Sequence, residues 1–153
     1  MLEKIVIANR GEIAVRVIRT ARDLGYRTVA VYSEADANAL HVHEADEAVC
    51  IGPAQVTASY LNAEAILEAT RKTGADCIHP GYGFLSENSN FANACKAAGL
   101  VFVGPPSDAI ELMGSKRRSK LAMQDTGVPV VPGYEGNNAT DEELIAAAAD
   151  IGY

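Results

Sequence analysis

Short β-branched runs alternate with longer runs of helical period along the first hundred residues of the chain. "KIVIA", Lys4 to Ala8, is short, continuous and rich in Ile and Val, which reads as a buried strand. Ile13, Val17, Ile18, Ala21 and Leu24 then fall on one face of a helix, with Gly25 placed to stop it. "RTVAVY", Arg27 to Tyr32, is the next strand, and the polar stretch Ser33 to Ala45 has room for a short helix from Ala39 to Glu44. "EAVCI", Glu47 to Ile51, gives a third strand ended by Gly52-Pro53, followed by a helical face of Ala63, Ile66, Leu67 and Thr70. "ADCIH", Ala75 to His79, is a fourth strand. Phe91, Ala94, Cys95 and Ala98 supply another helical face closed by Gly99, and "LVFVG", Leu100 to Gly104, is a fifth strand.

Parallel strands need crossover connections, so this alternation predicts an α/β fold: a doubly wound, five-stranded parallel sheet with helices on both faces. Ligands of such sheets gather outside the carboxyl ends of the strands. Two loops leave those ends: Asn9-Arg10-Gly11-Glu12 after the first strand, and "HPGYGFLSEN", His79 to Asn88, after the fourth. The two are expected to share one rim. In the second loop the glycines permit backbone angles closed to other residues. Ser86 or Asn88 can cap the following helix, and Phe84 and Leu85 can fold back on the core. Tyr82 can cover the sheet end, but none of these structural tasks requires an aromatic held between two glycines.

Beyond Gly104 the alternation stops. Pro105-Pro106 opens a short helix through Met113, Gly114 breaks it, and a second helix runs from about Lys116 to Thr126. "GVPVVPGY", Gly127 to Tyr134, is too proline-rich for a central strand and reads as a linker or edge segment. Thr140 and Glu143 have the spacing of a capping box at the start of a last helix. The chain stops at Ile151-Gly152-Tyr153, where a new strand is due, so a fragment of a longer enzyme is expected.

Charge and cysteine usage narrow the function classes. A net charge of −7 argues against a general nucleic-acid binder, although Lys116, Arg117, Arg118 and Lys120 form a basic cluster on one helix. Cys50, Cys77 and Cys95 are widely spaced in apolar surroundings, which predicts reduced, buried thiols rather than a disulfide framework or a metal site. His41 and His43 read as an ordinary surface turn. No secretory signal opens the sequence, and no apolar run approaches the ~20 residues of a membrane span. A cytoplasmic protein, or one of an organelle matrix after processing, is expected.

Two phosphate motifs fail. The turn "ANRGEIA" carries only Gly11 of a Gly-x-Gly-x-x-Gly dinucleotide fingerprint. "GSK", Gly114 to Lys116, lacks the earlier glycine of a P-loop, since position 109 is Ala109, and it follows a helix rather than a strand. What remains is Lys116 at a helix start after a glycine, where backbone N–H groups and cationic side chains could meet an anion such as a nucleotide phosphate.

Taken together, "IVIANRGEIAVRVIRTARDLGYRTVAVYSEAD", "HPGYGFLSEN", "VFVGPP" and "LMGSK" resemble the biotin carboxylases, the ATP-dependent components of acyl-CoA, acetyl-CoA and pyruvate carboxylases. The similarity covers nearly the whole chain, with only Asn137 to Ala149 generic. It implies a Rossmann-like pre-ATP-grasp domain over residues 1–103, a helical linker over 104–130 and the truncated start of an ATP-grasp domain over 131–153. The implied chemistry uses ATP, Mg2+ and bicarbonate to make carboxyphosphate, whose carbon dioxide carboxylates the ureido nitrogen of carrier-bound biotin.

The resemblance also implies residue roles. Lys116 matches the lysine of the family's "MG-x-K" motif and would contact a nucleotide phosphate. Tyr82 matches a tyrosine beside the biotin ring. The helix with Arg19 and Asp23 resembles the one that pairs subunits in dimeric members, although glutamate is common where Asp23 stands. The implied partners are a biotin carboxyl carrier protein or domain, a carboxyltransferase subunit and a second copy of the chain, with neither nucleic acid nor membrane. The lid loop, the metal-binding glutamates, the general base and the biotin-holding arginine would follow Tyr153, so residues 1–153 alone are expected to be inactive. Another ATP-grasp ligase, such as a carbamoyl-phosphate synthetase, and a non-catalytic α/β binding module are the competing readings.

Overall fold

The computed structural model describes residues 2–136 and 139–153. Met1 and the generic-segment residues Asn137 and Asn138 lie outside the described residues. The chain divides into two units, Met1–Glu111 and Leu112–Tyr153.

The first unit is built on five parallel strands: β1 Lys4–Ile7, β2 Arg27–Ser33, β3 Glu47–Gly52, β4 Cys77–His79 and β5 Val101–Phe102. Their order is β3-β2-β1-β4-β5, as a doubly wound sheet requires. Successive side chains of a strand point to opposite faces, and β1 shows the consequence. Val6 joins a core with Ile66, Leu67 and Ala69 of α3 (Ala63–Thr73) and Phe91 and Cys95 of α4 (Ser89–Ala97). Ile5 and Ile7 join the opposite core with Ala14, Ile18 and Ala21 of α1 (Gly11–Asp23). Each such Ile or Val withdrawn from water is worth about 1.5–3 kcal/mol, which is why an unbroken apolar run makes a central strand.

The helix boundaries follow local chemistry. Gly25 ends α1 with φ +86, and its N–H donates to the Arg22 carbonyl at 2.9 Å. Asn62 and Asn88 cap α3 and α4, their side-chain oxygens accepting from Ala65 N and Phe91 N at 3.1 and 2.9 Å. β4 is shorter than the sequence pattern predicts, and Asp76, just before it, is a connector. Its carboxylate accepts from the N–H groups of Glu3 and Lys4 at 2.8 and 2.9 Å, tying the start of β1 to the start of β4.

Two expectations need correction. His41 is not in a surface turn: it is fully buried in α2 (Leu40–Glu44), with Nε2 3.3 Å from the Val31 carbonyl. Cys77 and Cys95 are buried as predicted, but Cys50 is exposed. β3 is an edge strand, so the face carrying Ala48 and Cys50 is left open.

The second unit contains α6 (Lys116–Asp125) and α7 (Asp141–Ile151), and its first residues complete α5 (Ser107–Gly114). Both arms of the expected capping box are formed. Thr140 Oγ1 accepts from Glu143 N at 3.3 Å, and Glu143 Oε2 accepts from Thr140 N at 3.0 Å. Residues 127–136 have no regular structure, in keeping with their prolines.

Candidate functional site at the sheet switch point

The chain runs outward from β1 to β2 to β3, then crosses back to place β4 on the other side of β1. The loops after β1 and β4 therefore leave neighbouring strand ends in opposite directions and open a crevice between them. Asn9 closes the floor of that crevice. It is fully buried, and its Nδ2 donates to the carbonyls of Pro80 and Tyr82 at 2.8 and 3.0 Å, while its Oδ1 accepts from Arg10 N at 2.9 Å. The two loops do share one rim, joined by a side chain whose partners lie more than seventy residues away.

The loop itself is wound tightly. Gly81 and Gly83 have φ of +67 and +72, and Phe84 follows with φ +43, the left-handed region that non-glycine residues rarely enter. A Cβ on Gly81 would stand 2.7 Å from Asn9 Nδ2 and 2.8 Å from Ile13 Cγ2, so only glycine lets the loop approach Asn9 this closely. Gly81 N donates to His79 Nδ1 at 2.9 Å, which places the proton of the neutral imidazole on Nε2. Leu85 is buried and Phe84 packs against the core, as expected. Tyr82 instead projects with 55% of its surface exposed. Its hydroxyl donates to Glu12 Oε1, and that carboxylate raises the phenol above its ordinary pKa.

Beside the loop lies a polar cluster that sequence reasoning missed. Asp36 Oδ2 accepts from Tyr60 OH at 2.7 Å and Ser33 Oγ at 3.1 Å, and it pairs with Arg10 Nε at 3.2 Å. Burial pulls the Asp36 carboxyl upward, but these donors outweigh it and hold its pKa below the usual value. Burial, with the Asp36 hydrogen bond, pushes the Tyr60 phenol up to about 12. None of these residues forms a local motif, so the only signal in the sequence was the polar run after β2.

His41 and His79 share a further property: burial lowers both imidazole pKa values. For His41 the Val31 carbonyl and Asp36 oppose that shift, and Arg10 adds to it. Both folded imidazoles therefore refuse protons that the unfolded chain accepts. Stability should be fully present above the unfolded value of 6.5 and fall as pH drops below it. Melting temperatures recorded from pH 7.5 down to 5 should decline across that window, and a flat profile would contradict the assignment.

Against α1 the sheet leaves a cleft of about 510 Å³, lined mainly by apolar residues of that helix and reached by Arg16, His79 and Tyr82. On the outer side of α1, Arg19 is ion-paired with Glu44 at 2.6 Å. Asp23 is exposed at its last turn.

Lys116 lies in the second unit and is exposed at the first position of α6. Ser115 caps that helix, accepting from Arg118 N at 3.3 Å. The basic cluster is divided by its contacts. Lys120 pairs with Glu135 at 2.5 Å, and Arg117 Nε donates to the Glu135 carbonyl at 2.5 Å, so both clamp the irregular segment onto α6. Among the described residues no group of three or more His, Cys, Asp or Glu side chains could hold a metal ion. No helix among them is long and apolar enough to cross a membrane.

Comparison with known proteins agrees with this fold. The family described as "Biotin carboxylase, N-terminal domain" matches residues 1–110. The mitochondrial methylcrotonoyl-CoA carboxylase subunit alpha of Dictyostelium discoideum is 57% identical over 152 residues, which are 99% of this chain and 22% of that protein. Biotin carboxylase 1 of Bacillus subtilis (strain 168) is 54% identical over 153 residues, 100% of this chain and 34% of that protein. The chain thus spans between about a fifth and a third of the length of these curated relatives. Among solved structures, the biotin carboxylase domain dimer of Hydrogenobacter thermophilus 2-oxoglutarate carboxylase, in complex with MgADP, ADP and bicarbonate, superposes with a TM-score of 0.90. It is 49% identical, and the match covers 100% of this chain and 34% of that one. The chain belongs to the biotin carboxylase N-terminal domain family.

Proposed function

We propose that this chain is the N-terminal part of an ATP-dependent biotin carboxylase, a ligase that uses ATP and bicarbonate to carboxylate carrier-bound biotin within an acyl-CoA carboxylase. The observation that carries this reading is the Asn9–Tyr82 arrangement. The residues that hold the loop and aim its exposed tyrosine all fall inside the region matched by the family. Membership of that family favours this reading over a carbamoyl-phosphate synthetase or a module without chemistry.

In this reading Tyr82 lies beside the biotin ring and forms one wall of the acceptor site. Lys116 contacts a nucleotide phosphate, supported by its exposure at the start of α6 and by the engagement of Arg117 and Lys120 elsewhere. ATP, bicarbonate and Mg2+ are the co-substrates and ion, in keeping with the ligands of the Hydrogenobacter domain. When bound, the metal neutralises phosphate charge and aligns the phosphoryl group. Residues 1–103 form the pre-ATP-grasp domain, 104–130 a helical linker and 131–153 the start of the ATP-grasp domain. The partners are a biotin carboxyl carrier protein or domain, a carboxyltransferase subunit and a second copy pairing through α1 with Arg19 and Asp23. The location is the cytoplasm, or an organelle matrix as for the mitochondrial relative.

The nucleotide half of this reading is tested at Lys116. A hydrogen bond to a charged group is worth about 1.5–3 kcal/mol, so Lys116→Ala in the full-length enzyme should raise KM for ATP about tenfold or more. Circular dichroism should show an unaltered fold. Unchanged ATP kinetics would make Lys116 an ordinary solvated helix position.

A further inference from the structure

We propose that Tyr60 is a positioning residue for Tyr82, acting through Phe84; this rests on the reading that Tyr82 faces biotin. Phe84 is the only non-glycine residue with positive φ among the described residues. Such a conformation persists only where surrounding packing holds it. Here the Phe84 ring lies flat on Tyr60, with centroids 5.3 Å apart and planes 9° from parallel. Tyr60 is itself fixed: its ring is buried, its hydroxyl accepts from Ser33 N at 2.9 Å and donates to Asp36 Oδ2 at 2.7 Å. The Arg10 guanidinium, paired with Asp36, lies over the same ring at 5.8 Å from its centroid.

The ends of β1 and β2 thus brace one aromatic ring, and that ring holds the β4 loop. Between Phe84 and Tyr82 stands only Gly83, where even an added Cβ would meet nothing within 4 Å and which resists rotation least of all residues. The loop therefore has two anchors around Tyr82, Asn9 on the carbonyl side and Tyr60 on the Phe84 side. Losing the second loosens the Phe84 side of the loop and leaves Tyr82 held only by Asn9 and by its hydroxyl's bond to Glu12, while the sheet stays intact.

The test is steady-state kinetics of the full-length carboxylase with free biotin and ATP. Displacement of a positioned group by about 1 Å can cost two orders of magnitude, so Tyr60→Leu should raise KM for biotin about fivefold or more. KM for ATP should stay at the parent value. Tyr60→Phe keeps the ring and loses the hydroxyl, so it should lower the melting temperature and retain the parent KM for biotin. Phe84→Leu removes the stack from the loop side and replaces Tyr60→Leu if that variant does not fold.

Adding Tyr60→Leu to Tyr82→Ala should change KM for biotin no further, because the positioned group is already gone. Additive effects in that pair would overturn the proposal. So would a parent-like KM for biotin in Tyr60→Leu and Phe84→Leu, or equal losses for biotin and ATP. If Tyr82→Ala alone leaves KM for biotin unchanged, the assignment of Tyr82 to biotin fails and takes the positioning role with it. A Tyr82→Ala defect without a Tyr60→Leu defect removes the positioning role only.

Discussion

Gly81→Ala is expected to destabilise the protein by about 3 kcal/mol, the sum of a left-handed backbone penalty of about 1–2 and an overpacking penalty of about 1–3. Both terms are visible at this position. Gly81 has φ +67, and an added Cβ would meet Asn9 Nδ2 at 2.7 Å and Ile13 Cγ2 at 2.8 Å. Neither neighbour can yield cheaply. Asn9 is buried and committed to the Pro80 and Tyr82 carbonyls, and Ile13 belongs to α1. Gly83→Ala is the matched comparison. It has φ +72 but open space around it, so it should cost only the backbone term, about 1–2 kcal/mol. Urea or thermal unfolding of the two variants should show Gly81→Ala to be the more damaging by a clear margin. Equal losses would mean that Asn9 does not clamp the loop.

The same substitution should carry a functional signature. Pushing Gly81 away from Asn9 displaces the next residue, Tyr82, the proposed biotin contact, whereas Lys116, the proposed phosphate contact, stands in the other unit. KM for biotin should therefore rise about tenfold or more while KM for ATP changes little, given the steep cost of misplacing a contact group.

What could be read from the sequence was whatever depends on near neighbours. The run Lys4 to Ile7 announces a strand because Val6 and its neighbours Ile5 and Ile7 each need a covered face. Thr140 and Glu143 announce a helix start because both partners of the capping box lie three residues apart. The rim was legible for the same reason: strand–helix alternation alone places the loops after β1 and β4 at the carboxyl ends of strands.

The clamps on that rim were not legible. Asn9 meets its two carbonyl partners across 71 and 73 residues, and Tyr60 meets Ser33 and Asp36 across 27 and 24. Nothing local distinguishes Tyr60 in "ASYLNAE" from any half-exposed aromatic. His41 and Cys50 failed through tertiary context as well. A five-residue helix turns one histidine under β2, and the edge position of β3 leaves a cysteine of an apolar run facing outward.

The largest effect of all is expected from comparing the full-length polypeptide with residues 1–153. The family chemistry needs an acceptor, a nucleotide and a metal brought together. In the proposed function, residues 1–153 supply one wall of the acceptor site, at Tyr82, and one phosphate-facing lysine, Lys116. Positioning and electrostatic stabilisation supply nearly all of the catalysis in phosphoryl transfer, so a partial constellation should turn over nothing. The decisive measurement is ATP cleavage by the full-length protein with and without bicarbonate and free biotin. The expected result is bicarbonate-dependent cleavage stimulated by biotin, with none from residues 1–153 alone. Cleavage by the full-length protein that is indifferent to biotin, or biotin-dependent cleavage by residues 1–153, would contradict it.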